Sequence, residues 1–194
     1  MSTLSLPHIS TLSSLPDQAI TNALDLLFEP SKELHALSLP AIRAAPSIAS
    51  YDDLIEIVRG ELLTLQGKVA TFAEPSPSHE ALACKQRLLG ILAAHPRLGA
   101  KKVESAQSAA EQAQLQKASE LEAAQLAALN AEYESSFPGL IYVVFVNGRP
   151  REVIMENMRA RIKRGVYALE EIEAIEAMAS IAKDRASKLP QGNA

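Results

Sequence analysis

The sequence predicts an all-α fold, a compact single-domain bundle of about seven to nine helices with one short extended segment near 140–147. Three observations point there. Apolar residues recur at helical spacing in most segments between breaks rich in Pro and Ser. Residues 108–135 are rich in Ala, Gln and Glu, all strong helix formers. Only "GLIYVVFVNGR", 139–149, has the β-branched and aromatic character of a strand, and no second run of comparable quality exists to pair with it. The 194 residues, 47% hydrophobic and 22% charged, suffice for one substantial core. The whole chain, 1–194, is therefore read as one domain with its core at about 16–188, and the ends 1–15 and 189–194 are expected to be flexible.

Within residues 16–28, Ile20, Ala23, Leu24, Leu27 and Phe28 form the first helical stripe. "EPSKELHALSLP", 29–40, carries Pro30 and Pro40 and reads as a compact turn region before Ile42. Residues 50–66 start at Ser50, a cap, and place Leu54, Ile55, Ile57, Val58, Leu62, Leu63 and Leu65 at helical spacing. "AEPSPSH" is a loop whose Ser78 can cap the helix "HEALACKQRLLGILAA" by accepting its first free N–H groups. That helix has to stop at His95, because a residue before proline is pushed out of the helical region. Residues 108–135 form one long helix or two with a bend near Ala118–Ser119. The strand-like run ending in Asn147-Gly148 is taken as an extended buried segment inside the helical domain. "REVIMENMRARIKRG", 151–165, ends on Gly165, a natural terminator, and a last helix covers about 167–188. The chain contains no internal repeats.

Charge and composition exclude several classes of function. A net charge of −4, from 19 basic and 23 acidic residues, argues against a nucleic-acid binder. The basic "RARIKR" at 159–164 reads as a solvated helix face. The lone Cys84 can form no internal disulfide and belongs to no zinc cluster, so it is read as a small core residue. No Lys or Arg precedes Lys32, which removes the charged region of a secretory signal and the arginines of a transit peptide. No apolar run reaches the length of a membrane span. Ser187-Lys188-Leu189 resembles a peroxisomal address but is followed by five more residues, whereas such an address sits at the extreme C-terminus. The expectation is a soluble intracellular protein without nucleic-acid or membrane partners.

Four histidines are candidates for chemistry. His8 lies in the unpatterned N-terminus, His35 in the turn region, and His79 at a helix start facing water. His95 ends a well-formed apolar helix and is fixed by Pro96, although a helix C-terminus also stabilises a histidine with no catalytic role. Ser108-Ala109-Ala110-Glu111 has the S-x-x-E form of a capping box, and the same helix start offers N–H groups to an anion. Glu111 and Gln112 thus either cap or line a pocket for a polar ligand. Asn130, a modest helix former, sits mid-helix and is read as making a tertiary hydrogen bond or facing solvent. The chain lacks metal-ligand spacing, a phosphate-cradling glycine loop and a nucleophile elbow. An enzyme built this way works by general acid–base chemistry and electrostatic positioning, with no metal.

The order of these elements is more specific than any one of them. "LLGILAAHPRLG", then "SAAEQ", "LAALNAEYESSFPGLIYVVFVNGR" and "VIMENMRARI" resemble the OHCU decarboxylase family, OHCU being 2-oxo-4-hydroxy-4-carboxy-5-ureidoimidazoline, an unstable intermediate of urate breakdown. "LDLLFEPS", 24–31, is similar to an early family element, so the resemblance covers about residues 24–183. It implies an all-α domain that converts OHCU to (S)-allantoin and carbon dioxide without a cofactor, as a homodimer in the cytoplasm or the peroxisome. It implies His95 and Glu111 as catalytic residues, and Pro96, Ser108 and Gln112 as substrate-binding ones. It also implies a substrate-binding strip at Tyr142, Val143, Val144, Phe145 and Val146, and matches Arg161 to an arginine of the family's later helix. The sequence departs from the family in three places. His95 and Glu111 are sixteen residues apart, shorter than the family spacing by about one helical turn. "FPGLIYVVF" replaces the family's "FGFPF", and the tripeptide "SPW" is absent.

On this resemblance His95 hydrogen-bonds the substrate hydroxyl or carboxylate and assists proton transfer, while Glu111 bonds the ureido or ring N–H groups. Gln112 and the backbone N–H groups of 143–146 bind carbonyls, and Arg161 either supplies positive charge near the carboxylate or ties two helices together. Two other readings compete: a helical interaction module built on 108–135, inactive as an enzyme, and a related pocket for a different ureido or imidazolinone compound.

Overall fold

The computed structural model describes residues 5–71, 78–100, 106–112 and 120–192, and the side chains of residues 70, 71, 106, 111 and 112 lie outside that description. Among the described residues there are nine helices: α1 (Ile9–Leu12), α2 (Asp17–Leu27), α3 (Lys32–Ala44), α4 (Tyr51–Thr71), α5 (His79–Leu92), α6 (Ala106–Gln112), α7 (Glu120–Ser136), α8 (Arg151–Arg164) and α9 (Tyr167–Lys188). No sheet joins them; one isolated parallel bridge pairs Leu6 with Gln191. The fold is all-α, as the periodicity predicts. Residues 73–77 of the expected loop at 73–79 and the bend near Ala118–Ser119 lie outside the described residues.

The long helices α4 and α9 are the axis of the bundle, with α3 and α5 packed on α4 and α2 packed on α9. Their buried faces follow the apolar stripes. Leu54, Ile55, Val58 and Leu62 of α4 meet a core to which α9 contributes Ala174, Ile175, Met178 and Ala182. The start of the chain takes part as well: Leu6 and Leu12 are fully buried, and Leu6 N–H donates to the Pro190 carbonyl at 2.9 Å. Cys84 is half-buried and packs at the edge of this core.

Local signals set the ends of the helices. The Ser50 hydroxyl accepts from Asp53 N–H at 3.1 Å, and that of Ser78 from Ala81 N–H at 3.1 Å, so each satisfies one free donor of the first turn. Gly165 closes α8 at φ 64°, a left-handed conformation that glycine adopts without a steric penalty.

One element differs from the sequence reading. Residues 32–44 are helical, not a turn region, with Pro40 inside α3. Proline there costs the single bond its missing N–H would have made to the turn before. Against that loss, Ser31 caps the helix by accepting from Leu34 N–H at 3.2 Å. The buried stripe Leu34, Ser38 and Ile42 holds α3 on the core. His35 accordingly sits on a helix, with Nε2 2.6 Å from the Asp25 carboxylate on α2.

A polar cluster joins α7, α8 and α9. Glu170, fully buried, accepts from Arg161 Nε at 2.7 Å, from the Tyr133 hydroxyl at 2.7 Å and from Arg164 at 2.5 Å. The Arg161 guanidinium also lies 4.9 Å from the Tyr142 ring centre, in cation–π contact. Replacing Arg161 by Met removes the innermost partner of a buried carboxylate. Such a loss costs about 3 kcal/mol or more, to be read as a lower urea midpoint, with Arg161→Lys recovering part of it because lysine lacks the planar fork. A loss below about 1 kcal/mol, the scale of an exposed pair, would contradict this account.

Candidate active site

The turn after α5 fixes His95. The helix ends with Ala93 N–H on the Leu89 carbonyl at 2.9 Å and Ala94 N–H on Ile91 at 3.2 Å, after which Pro96 prevents continuation. Two contacts clamp the turn onto α7. The buried Asn130 side chain donates to the Leu98 carbonyl at 3.0 Å, so the mid-helix asparagine makes a tertiary bond. Gly99, at φ 75°, leaves room for Leu126, whose side chain would lie 2.6 Å from any Cβ placed there.

His95 is 6% exposed, and neither ring nitrogen meets a partner among the described residues. A neutral imidazole has one N–H donor and one acceptor, and leaving both buried without partners is costly. Burial, and then the charge of Arg185, push its pKa from the usual 6.5 down to about 3. His95 is therefore neutral throughout the physiological range.

Arg185 belongs to a buried cluster beneath the histidine. Its Nη2 donates to Glu29 Oε1 at 2.8 Å and to the Ser108 hydroxyl at 2.9 Å, while Nη1 reaches the Leu27 carbonyl at 3.3 Å. The Ser108 hydroxyl donates to Glu29 Oε1 at 2.5 Å. Ser108 thus lies inside α6, on its third residue, with its hydroxyl turned to Glu29 across the fold. The expected capping box puts Ser108 at the N-cap, and the structure corrects this: Ser108 is already helical, and a buried carboxylate and guanidinium bond its hydroxyl. Glu111 and Gln112 end α6 with side chains outside the described residues.

Residues 141–146 are extended and form the opposite wall. The Tyr142 hydroxyl donates to Asn157 Oδ1 at 2.6 Å. Arg161 Nη1 donates to the Val143 carbonyl at 3.2 Å, and Arg149 donates to the carbonyls of Val146, at 3.2 Å from Nε, and Phe145. Among the described residues no acceptor meets the N–H groups of 143–146. Two guanidiniums thus hold three carbonyls of the strip, while its N–H groups meet no acceptor among the described residues. The strip ends in a turn at Asn147 (φ 43°) and Gly148 (φ 69°), where two left-handed residues in succession suit Asn-Gly.

Between these walls lies a cavity of about 210 Å³. That is smaller than the roughly 300–1,000 Å³ of pockets for drug-sized ligands and suits a small metabolite. His95, Pro96 and Ser108 line it on one side and Tyr142, Val143, Val144, Phe145 and Val146 on the other, with α9 adding Ile181, Asp184 and Lys188. The sequence-predicted residues with described side chains therefore converge on one cavity, Arg161 excepted. Arg161 stands behind the strip, paired with Glu170 and holding the Val143 carbonyl.

Sequence reasoning missed Glu29 and Arg185. A signal was available for the second: Met178, Ile181, Ala182 and Arg185 follow helical spacing, and all are buried. A lone arginine on an apolar stripe requires a buried partner. Among the described residues no group of three or more His, Cys, Asp or Glu is placed to hold a metal ion, and no helix is long and apolar enough to cross a membrane.

Comparison with protein families matches residues 13–187 to the model described as OHCU decarboxylase. No curated protein matches the chain significantly.

The neutral His95 has a measurable consequence. Between pH 6.5 and about 3 the unfolded chain binds a proton at this histidine and the folded protein does not. Acid in that window therefore favours unfolding, and this contribution to stability is complete above pH 6.5. The His95 ring signals in NMR should not titrate between pH 8 and 5, and His95→Gln should lose less stability than the parent between pH 7 and 5. A histidine titrating near 6.5 would refute the buried, neutral assignment.

Proposed function

Because the chain belongs to the OHCU decarboxylase family, we propose that it is a cofactor-free carboxy-lyase of urate breakdown that converts OHCU to (S)-allantoin and carbon dioxide in the cavity beside His95. One observation carries this reading. A buried histidine whose two ring nitrogens meet no partner among the described residues shares a small cavity with a strip whose N–H groups likewise meet no acceptor there. A planar ligand rich in carbonyl and N–H groups satisfies both at once.

The reaction asks little of the protein by way of covalent chemistry. The bond from the ring carbon to the carboxylate breaks, carbon dioxide leaves, and the electron pair passes into the substrate's own imine, whose nitrogen takes up a proton from solvent. The hydroxyl on the same carbon gives up its proton and becomes a carbonyl, and the neighbouring ring carbon takes a proton on one face. His95, being neutral, has a lone pair for the hydroxyl proton and can pass a proton on. An anionic substrate beside it offsets the charge of Arg185 and raises its pKa toward the useful range. In this role Arg185, and not Arg161, supplies the positive field for the carboxylate, since its charge is the one that acts on His95.

N–H donors of 143–146 take the ring carbonyls, and their fixed orientation stabilises charge as it develops there. Glu111 and Gln112, carried over from the family pattern, bond the N–H and carbonyl groups of the substrate, and Pro96 packs against its ring. A homodimeric state and a cytoplasmic or peroxisomal setting belong to the same proposal.

The test is circular dichroism of allantoin formed from urate in the presence of urate oxidase and hydroxyisourate hydrolase, with and without this protein. The protein should produce a rapid (S)-allantoin signal. His95→Ala and Glu111→Ala should each slow it by roughly a hundredfold or more, the usual scale for a general acid–base group, with helicity unchanged. Slow racemic decay at the same rate with or without the protein would refute decarboxylation.

A further inference from the structure

The α9 wall of the cavity changes character along its length. Ile181, Asp184 and Lys188 fall on one helical face, at spacings of three and four residues, and all three line the cavity. Ile181 is 6% exposed, whereas the side chains of Asp184 and Lys188 are 21% and 68% exposed. The wall thus runs from the buried level of His95 out to solvent.

Asp184 and Lys188 are the only charged side chains among the described residues that line the cavity, His95 being neutral. They are paired, Lys188 Nζ donating to Asp184 Oδ2 at 2.6 Å, and Oδ1 meets no partner among the described residues. An ionised pair with an unused acceptor oxygen and further ammonium donors offers both halves of a hydrogen-bonding pattern. A ligand carboxylate placed there would confront the Asp184 carboxylate at close range. A neutral planar group with N–H donors and a carbonyl acceptor meets no such repulsion.

We propose that Asp184 and Lys188 form the subsite that recognises the ureido arm of the substrate, Asp184 Oδ1 accepting from a ureido N–H and Lys188 donating to the ureido carbonyl. The orientation rests on the decarboxylase reading, which puts the reacting carbon at His95 and sends the arm toward the mouth. The pair is a specificity device: it separates ureido-bearing rings from bare ones. On this assignment the ring N–H groups are left to Glu111.

Calorimetric titration of the full chain with allantoin, a hydantoin ring bearing a ureido arm, and with unsubstituted hydantoin tests the subsite without turnover. The parent should bind allantoin about tenfold or more tightly than hydantoin, the size of one good bond to a charged group. Asp184→Ala should bring the ratio to within about threefold by weakening allantoin alone, with hydantoin affinity unchanged. Asp184→Asn, which keeps the size and removes the charge, guards against loss of fold and should also lower the ratio, as should Lys188→Met. An unchanged ratio in the two Asp184 variants, or equal affinity of the parent for both ligands, would overturn the proposal. The two readings fail separately. A parent that discriminates but forms no (S)-allantoin refutes decarboxylation and keeps the subsite, while a parent that decarboxylates and whose variants retain its ligand ratio refutes the subsite alone.

Discussion

The buried contact among Arg185, Glu29 and Ser108 is the constraint on which the rest of the site depends. It joins three parts of the chain that nothing local would bring together: the turn after α2, the short helix α6 and the last turns of α9. Two charges withdrawn from water cost several kcal/mol each unless their remaining donors and acceptors are met. Here the guanidinium reaches a carboxylate, a hydroxyl and a backbone carbonyl. Glu29 is held at φ 128°, a left-handed backbone region costly to any residue with a Cβ. A glutamate kept there by its own ion pair marks a position where stability has been given up for placement. The return is electrostatic: the charge of Arg185, added to burial, keeps His95 neutral and so both a donor and an acceptor.

The other polar cluster does comparable work from behind. A helical protein has few open backbone N–H groups, because its ladders already occupy them. The extended 141–146 segment is the exception, and it persists because its carbonyls are taken by Arg149 and Arg161. Arg161 is held in turn by Glu170, and Glu170 by Tyr133 and Arg164. Arg161 thus ties the strip to α8 through the Val143 carbonyl, and the N–H groups of 143–146 meet no acceptor among the described residues. This explains how one strand-like run exists in an all-α domain without a neighbour. Guanidinium groups stand where the next strand's donors would be.

What could be read from the sequence divides along the range of the interactions involved. The stripes of α2 and α4 were legible because helical burial repeats every three to four residues in the chain itself. The turn at His95-Pro96 was legible for the same reason, its cause being one residue away. α3 was not, because Pro40 carries a strong local signal against a helix, and only the cap at Ser31 with the stripe Leu34, Ser38 and Ile42 outweighs it. Ser108 looked like a cap because S-x-x-E is a local pattern, whereas its real partner, Glu29, lies 79 residues away. Glu29 and Arg185 are separated by 156 residues, and no spacing rule reaches that far. Placing Arg161 behind the strip likewise needed the path of the chain between Val143 and α8.

These two clusters leave the cavity with an unusual electrical character for a site proposed to receive an anion. Among the described residues its inner lining is largely apolar, with Pro96, Leu98, Val143, Val144 and Ile181 around a neutral histidine, and the nearby Arg185 is already paired with Glu29. A carboxylate entering such a space gives up water and gains only part of a countercharge. In the decarboxylase reading this asymmetry favours the forward step. As carbon dioxide leaves, the compact charge of the carboxylate becomes spread over the ring, where fixed N–H donors meet it and less solvation is needed. The preference of an apolar, preorganised cavity for dispersed over concentrated charge then stands where a cofactor would otherwise serve as the electron sink. The requirement passes to geometry: the donors have to be in place beforehand, and the buried ion pairs behind each wall are what put them there.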